Sequence, residues 1–506
     1  MRTLYPYQQE ALDQVNQSYL IGSRRVLLQA PTGSGKTVIA ATFIRDLVAQ
    51  RKRVAFCVSR TALISQTFAR FQENGLTDAQ MGIIWADQTT DRDWCPVKIC
   101  SAQTLERRQL PDVDVVVIDE AHELREVYRR WMTEHDRVQF LGLTATPWSK
   151  GLGLYFDKLV RSTTSADLIA QGDLSKFRVF APSHPDLAGI KTVAGDYHEG
   201  ELSDRMTQAT LVADVVQTWL ERAGGQPTIC FAVTRAHAAA LQLQFEANGV
   251  PCGYVDCYTS QEDRTTLAEN FASGAIKVVC NVGVLTTGID WDVRCLILAR
   301  PTKSEILFVQ MVGRALRTAP GKDSALILDH SDTHLRLGMV TDIDYPDLDV
   351  TKPGQSASQA RKRKDDIALP KECKACSALI PAGQRQCLEC GEVLKPNSRV
   401  EIVQGELIEI FADGSRKHLM SATEVCRSMP KQDVFRQLKW IQEERGFKSG
   451  WVFHTYRDLY GVGPSFNQSI QPMRPTDSVL AFVRSKFIRY AKATGTRTYV
   501  NHQHQG

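Results

Sequence analysis

The sequence predicts an α/β protein: two tandem domains on parallel sheets, then a short cysteine-bearing segment and a mainly helical C-terminal domain. Three observations predict it. Short apolar runs alternate with helical patterns as far as about residue 345, as expected of βαβ units around a covered parallel sheet. A glycine-rich stretch, Ala30-Pro-Thr-Gly-Ser-Gly-Lys-Thr37, lies between a strand and a helix near the start. A polar, broken stretch then separates the α/β region from two closely spaced cysteine pairs. The 506 residues divide into domains 1–160 and 161–345, a linker 346–370, a cysteine segment 371–392 and a basic region 393–506.

The first strand is expected at 26–29, and the helix after the glycine-rich loop opens near Lys36 and runs to about Val48. Thr32-Gly33-Ser34-Gly35 lets backbone N–H groups close around a phosphate, and the helix N-terminus adds positive partial charge. Lys36 can reach the β- and γ-phosphates of ATP, and Thr37 can place its hydroxyl on Mg²⁺. Ala30 stands where the common pattern has a further Gly. A glycine-rich turn that merely caps a helix is the alternative, and the order strand, loop, helix favours the nucleotide site.

Further buried strands are expected at 53–59, 97–101, 113–118 and 138–143. The run Val115-Val-Val-Ile118 delivers Asp119 and Glu120 to the C-terminal end of its strand, where open α/β sheets bind ligands. There Asp119 would hold Mg²⁺ and Glu120 would orient and deprotonate an attacking water. The second domain repeats the alternation, with strands at 228–233, 252–255, 276–280, 294–299 and 325–328 and helices at 204–223, 235–248, 262–273 and 304–317.

The whole-chain charge of +4 says little about partners, but its distribution says more. From Val393 onward there are 17 Lys and Arg against 10 Asp and Glu, a net of +7 that leaves the rest at −3. A basic tail beside a slightly acidic remainder suits nucleic acid, or is a solvated surface. The N-terminal residues hold no apolar run that would serve as a signal peptide, and no window is apolar enough to span a membrane, so a cytoplasmic protein is expected, nucleoid-associated or in an infected cell. Nine of the 13 cysteines (Cys57, Cys95, Cys100, Cys230, Cys252, Cys257, Cys280, Cys295, Cys426) are scattered and read as buried free thiols of a reducing compartment.

With loop and acid pair in place, the chain resembles superfamily-two helicases of the DEAH type, whose motor consists of two RecA-like domains. Leu4-Tyr-Pro-Tyr-Gln-Gln-Glu-Ala11 resembles their adenine-recognising segment, which implies an adenine contact for Gln8; an Arg usually stands where Tyr5 is. The stretches around Ser59 and Arg60, and Ser101 to Thr104, resemble strand-binding motifs, and these four residues could donate to backbone phosphates. Thr144-Ala-Thr-Pro147 resembles the motif linking ATP state to the nucleic-acid site. Asn281 to Asp290 resembles the fifth motif, which puts Gly288 and Asp290 at the nucleotide and Thr286 or Thr287 at the strand. Gln310-Met-Val-Gly-Arg-Ala-Leu-Arg317 resembles the sixth, with Arg314 and Arg317 one helical turn apart as arginine fingers and Gln310 a turn earlier. Leu285-Thr-Thr-Gly, Arg300-Pro-Thr and Ala319-Pro-Gly-Lys322 are similar to the bacterial RadD-type repair helicases in particular.

Cys373-Lys-Ala-Cys376 and Cys387-Leu-Glu-Cys390 are two C-x₂-C pairs ten residues apart, a spacing that suits four thiolates on one structural Zn²⁺. Disulfides or an iron–sulfur cluster are the alternatives. Farther on, basic residues interleave with aromatics, as at Lys439-Trp440, Lys448 with Trp451, Phe453, Tyr456 and Arg457, and Arg484 to Tyr490. That mixture suits base stacking along a strand, and equally a small helical domain with snorkelling cations.

These readings lead to an ATP-dependent motor on DNA, single-stranded, forked or duplex, that unwinds it in repair or recombination. Single-strand-binding or recombination proteins are further candidate partners. Three rivals remain open: a translocase on duplex DNA that separates no strands, an RNA helicase, and an ATP-inactive binding scaffold. Between Asp290 and Gln310 there is no room for a strand-separating hairpin, which sustains the first rival.

Overall fold

The computed structural model describes residues 4–85, 88–89, 94–286, 290–352, 369–394, 422–465 and 470–494. The chain forms two compact units, residues 1–397 and 398–506. The first contains both parallel sheets.

Among the described residues the first sheet has eight strands: β1 (Arg25–Gln29), β2 (Val54–Val58), β3 (Met81–Trp85), β4 (Gln88–Thr89), β5 (Val97–Ser101), β6 (Val115–Asp119), β7 (Gln139–Thr144) and β8 (Lys158–Arg161). Their order is β4-β3-β5-β2-β6-β7-β1-β8, parallel throughout except for β3 with β4. Because side chains alternate across a strand, each face of the sheet has its own core. Val26, Leu28, Val54 and Phe56 pack under α1 (Pro6–Leu20), α2 (Lys36–Ala49) and α3 (Ile64–Glu73). Leu27, Ala55, Val116 and Phe140 pack under α4 (Ala102–Leu105) and α5 (Glu126–Glu134). Gly142 on β7 is required here: a Cβ would lie 2.6 Å from Leu27 Cδ1 and 2.7 Å from Phe156 Cζ.

After α6 (Ser165–Gln171), the second domain contributes β9 (Lys176–Phe180), the hairpin β10 (Thr192–Val193) and β11 (Asp196–Tyr197), α7 (Glu199–Met206), α8 (Ala209–Arg222), β12 (Thr228–Phe231), α9 (Arg235–Ala247), β13 (Cys252–Val255), α10 (Gln261–Ala272), β14 (Val278–Asn281), β15 (Cys295–Leu298), α11 (Glu305–Ala315), β16 (Ser324–Asp329) and α12 (Thr333–Leu337). The described strands of its main sheet are all parallel, in the order β13-β14-β12-β15-β16-β9. The expected helix 204–223 is two helices, α7 and α8. Thr207 Oγ1 donates back to Ser203 O at 2.7 Å and the chain turns there. β8 and β9 escape sequence reading because they are edge strands with charged, partly exposed residues rather than apolar runs. The scattered cysteines are buried as expected, with one correction: Cys257 is exposed, in the turn where Asp256 accepts from Tyr258 N and Thr259 N.

Residues 339–352 return from the second domain to the first. Tyr345 packs on Trp148 with ring centres 5.3 Å apart. Asp349 Oδ1 accepts from Gly151 N at 3.0 Å, and Asp349 O from Gly153 N at 2.8 Å. The start of the expected linker is therefore a strap across the first domain; farther along, the linker carries four consecutive basic residues, Arg361-Lys-Arg-Lys364, which lie outside the described residues. Beyond it, β17 (Lys371–Glu372) and β18 (Leu379–Ile380) form a small antiparallel hairpin.

In the second unit, α13 (Ala422–Ser428), α14 (Lys431–Arg445), α15 (Gly450–Tyr460) and α16 (Asp477–Thr494) enclose a core of Cys426, Phe435, Leu438, Tyr456, Val479 and Phe482. Of the aromatics that suggested base stacking, Tyr456 is buried, and Trp440 and Trp451 pack against this core; Phe453 is exposed. Lys439 Nζ donates to Ile470 O at 3.0 Å. A helical core with cations lying along it accounts for these residues. No described helix is long and apolar enough to cross a membrane.

Candidate active site

β1 stops at Gln29 because the chain must turn into the glycine-rich loop. Gly33 and Gly35 both adopt left-handed φ values, 91° and 81°, and α2 begins at Lys36. Lys36 Nζ lies 3.3 Å from Ala30 O. The loop is braced from α1: Gln8 Nε2 donates to Ser34 O at 2.8 Å and Tyr7 Oη to the same oxygen at 3.0 Å. Tyr5 stacks on Tyr7 with ring centres 5.7 Å apart and planes 10° apart, and is 53% exposed. Loop, Gln8, Tyr5, Thr37, Asp119, Glu120 and, from the second domain, Asp290, Arg314 and Arg317 line a cavity of about 760 Å³. That size suits a nucleotide.

Asp119 and Glu120 leave the end of β6 into this cavity. Burial, and then the neighbouring Glu120 charge, push the Asp119 carboxyl up to about 7, against a smaller opposite pull from Lys36 and Arg314. A cation beside Asp119 would reverse that push, which fits Asp119 and Thr37 as the residues that would hold a nucleotide's Mg²⁺. Glu120 has φ +50°, a left-handed conformation unusual for a non-glycine residue and typical of functional turns.

Behind Glu120 lies His122, a residue to which sequence reasoning assigned no role. Its Nδ1 is 3.0 Å from Thr144 Oγ1 and 3.3 Å from Glu120 Oε2, while its Nε2 is 3.2 Å from Gln310 Nε2 on α11 of the other domain. Burial lowers the His122 pKa and so favours the neutral ring, against smaller opposite pulls from Glu120 and Glu123. A Gln310 amide that donates to Nε2 would leave the ring proton on Nδ1, toward Thr144 Oγ1, while Glu120 Oε2 lies beside the ring without a hydrogen-bond partner. Gln310, expected with the fingers, thus reaches the acid turn through His122.

Gly313 lets α11 come this close. A Cβ there would lie 2.6 Å from Thr32 Cβ in the loop of the first domain. Arg314 is buried, and burial, then the like charge of Arg317, hold its guanidinium down to about 9. Arg317 Nη1 donates to Asp290 Oδ1 at 2.7 Å, and Arg70 Nη2 of α3 to Asp290 Oδ2 at 2.7 Å. Arg70 had no sequence signal; it is one cation on an amphipathic helix.

Of the expected strand contacts, Ser59 is buried and Arg60 exposed at the end of β2. Ser101 and Thr104 are buried with their hydroxyls 2.9 Å apart, and Ser101 Oγ caps α4 by accepting from Thr104 N. Thr286 is buried beyond β14; Thr287 and Gly288 lie outside the described residues.

The four cysteines converge: the sulfurs of Cys373, Cys376, Cys387 and Cys390 all lie within 4.8 Å of one another. Backbone N–H groups, that of Ala375 first, hold the Cys373 thiol down to about 7, and burial pushes Cys376 up to about 12. Four soft donors this close fit a tetrahedral Zn²⁺. The segment is docked on the second domain. Cys373, Ala378, Ile380 and Cys387 share a core with Phe180, Trp219 and Leu326. Ala181 N donates to Ser377 O at 2.9 Å, and Arg178 pairs with Glu389 at 3.0 Å.

Comparison with known proteins agrees with this architecture. Residues 2–149 match the family "Type III restriction enzyme, res subunit", and residues 210–319 match "Helicase conserved C-terminal domain". The chain is 27% identical over 398 residues to the 51.5 kDa protein of Lactococcus phage (isolate 7-9), covering 76% of this chain and 83% of that one. It is 29% identical over 352 residues to IRC3 of Saccharomyces cerevisiae, named as a candidate ATP-dependent helicase, covering 64% of this chain and 51% of IRC3. Its fold is similar to a fragment of a candidate HsdR subunit of a type I restriction enzyme from Vibrio vulnificus YJ016, with TM-score 0.53, 22% identity, and coverage of 69% of this chain and 67% of that one. Both family matches fall, in chain order, on the two domains that enclose the cavity, and together with the helicase relatives they support an ATP-hydrolysing helicase of superfamily two.

Proposed function

We propose that the chain is an ATP-driven motor that moves along DNA and unwinds it in repair or recombination, in the manner of RadD-type, DEAH-type helicases. The observation that carries this reading is the link Glu120–His122–Gln310, which joins the acid turn of one domain to the finger helix of the other. In this reading Lys36 and the N-terminus of α2 hold the phosphates, and Gln8 orients the adenine. Glu120 positions the attacking water and takes its proton, while Arg314 and Arg317 bring positive charge from the second domain. Mg²⁺, when bound by Thr37 and Asp119, neutralises phosphate charge. Asp290 holds Arg317 in place and is itself tied to Arg70. Loss of the γ-phosphate removes the reason for the domains to stay closed, and alternating closure on a bound strand becomes movement.

Tyr5 supplies an exposed ring at the adenine end, where the resemblance leads one to expect an Arg. Tyr5→Ala is expected to raise the KM for ATP by roughly tenfold with kcat little changed, the effect of losing about 1–3 kcal/mol of stacking on a base. Tyr5→Phe should restore it. A KM unchanged in Tyr5→Ala would remove the ring from the site.

A second reading, translocation on duplex without strand separation, draws on the fold shared with the restriction-enzyme subunit. The experiment that separates the two pairs strand displacement on a forked duplex with displacement of a triplex-forming strand from intact duplex. Unwinding of the fork supports the helicase. Triplex displacement with no fork unwinding supports the translocase.

A further inference from the structure

Beyond α12 the chain leaves the second domain, whose core holds Met339, Val340 and Ile343, and lies back on the first. Its grip there is close. Asp344 pairs with Arg161 at the end of β8. Asp349 accepts from Gly151 N through its carboxylate and from Gly153 N through its carbonyl. Gly153 makes room for the strap, since a Cβ there would lie 2.8 Å from Val350 Cγ1 and 3.1 Å from Asp349 O.

Tyr345 stands where this strap passes between the domains. Its hydroxyl donates to Glu305 Oε2 at 2.7 Å, in the first turn of α11. Its ring packs on Trp148, which directly follows Thr144-Ala-Thr-Pro147. Trp148 in turn packs against the core that includes Phe308, Met311 and Val312 of α11. The indole Nε1 is buried without a hydrogen-bond partner, so packing alone holds that ring. The finger helix is thus held at two points. One is Gln310 on His122, whose Nδ1 is 3.0 Å from Thr144 Oγ1. The other is Glu305 on Tyr345. Five residues separate Glu305 from Gln310, which places them about 140° apart around the helix and about 7.5 Å apart along it. A helix held at one point can swing about it; two holds on different sides fix its direction. Arg314 lies about 6 Å along the axis beyond Gln310, so a tilt of about 10° would move its backbone by about 1 Å. A displacement of that size at a catalytic group is enough to slow the chemistry severely.

We propose that Tyr345 is a positioning residue of the ATPase, holding the first turn of α11 so that Arg314 and Arg317 meet the nucleotide in one orientation. Tyr345 does not line the nucleotide cavity and acts through the helix. The inference rests on the reading of these two arginines as fingers, and it gives the strap a part in the reaction as well as in the fold.

The test starts from Tyr345→Phe, which keeps the ring on Trp148 and removes only the hydroxyl, with the melting midpoint as a check on the fold. Steady-state hydrolysis in the presence of single-stranded DNA gives kcat and the KM for ATP. Tyr345→Phe is expected to lower kcat about tenfold, from loss of a hydrogen bond to a charged group, and to leave KM little changed. Glu305→Ala should do the same, and the two changes together should be no worse than either alone, because both cut one bond. Glu305→Gln keeps an acceptor and should restore turnover. In an Arg317→Lys background, Tyr345→Phe should cost less than it does alone, since its effect passes through the finger. An unchanged kcat in Tyr345→Phe would overturn the inference. So would a loss that multiplies in full with that of Arg317→Lys, the result expected of a merely structural residue. Arg317→Lys hydrolysing ATP as fast as the unmodified protein would overturn the finger reading and the inference together. Slow hydrolysis by Arg317→Lys beside an unaffected Tyr345→Phe would overturn the inference alone.

Discussion

Glu120→Gln is expected to keep ATP binding and to lower turnover by about 10²–10⁴-fold, the range for loss of a positioned general base. The substitution is nearly isosteric, so the strained turn at φ +50° and the hydrogen bond from Glu120 N to Asp119 Oδ1 at 3.0 Å both persist. What disappears is the carboxylate that would take the proton from water. Because His122 links Glu120 to Gln310, the variant keeps its interdomain contact and binds nucleotide in the closed arrangement. Equilibrium binding of a fluorescent ATP analogue beside single-turnover hydrolysis checks both halves. Unchanged hydrolysis would take Glu120 out of the chemistry, and lost binding would make it structural.

Cys373→Ser with Cys376→Ser is expected to release one Zn²⁺ per chain and to destabilise the second domain as well as its own segment. The cysteine segment is not an appendage. It extends the edge at β9 through the pairing of Phe180 with Ala378 and contributes Ala378 and Ile380 to the domain core. His184 adds a second tie, 2.7 Å from Asp332 and 2.9 Å from Glu372. Losing this cover should lower the melting midpoint by roughly 6–12 °C, for about 3 kcal/mol at about 2–4 °C per kcal/mol in a domain of this size. Native mass spectrometry and calorimetry report the two effects separately. Full zinc retention would contradict the four-cysteine site, and zinc loss at an unchanged midpoint would show that the docking does not depend on the metal.

Much of the fold was legible because buried parallel strands are continuous apolar runs: β5 and β13 lie where 97–101 and 252–255 predicted them. The loop from Ala30 to Thr37 was legible because strand, loop and helix are contiguous. The edge strands β8 and β9 were not, since half-exposed charged residues hide the pattern. The cysteine spacing announced a four-cysteine cluster, but its docking depends on Phe180, far away in the chain. His122 was visible as a residue, yet its partner Gln310 is 188 positions away, and no local pattern encodes that contact. The hairpin at 192–197 was invisible for a different reason: two residues a strand are too few to show alternation. In the tail, composition could not separate core aromatics from stacking aromatics, and the burial of Tyr456 needed the fold.

The central claim is that closure of two domains around ATP is coupled to DNA. Steady-state ATP hydrolysis, measured without nucleic acid and then with single-stranded DNA, a fork, plain duplex and RNA, tests it most directly, with Lys36→Ala as the control. The account predicts strong stimulation by single strands and forks that vanishes in Lys36→Ala. Hydrolysis indifferent to every DNA, or independent of Lys36, would contradict it.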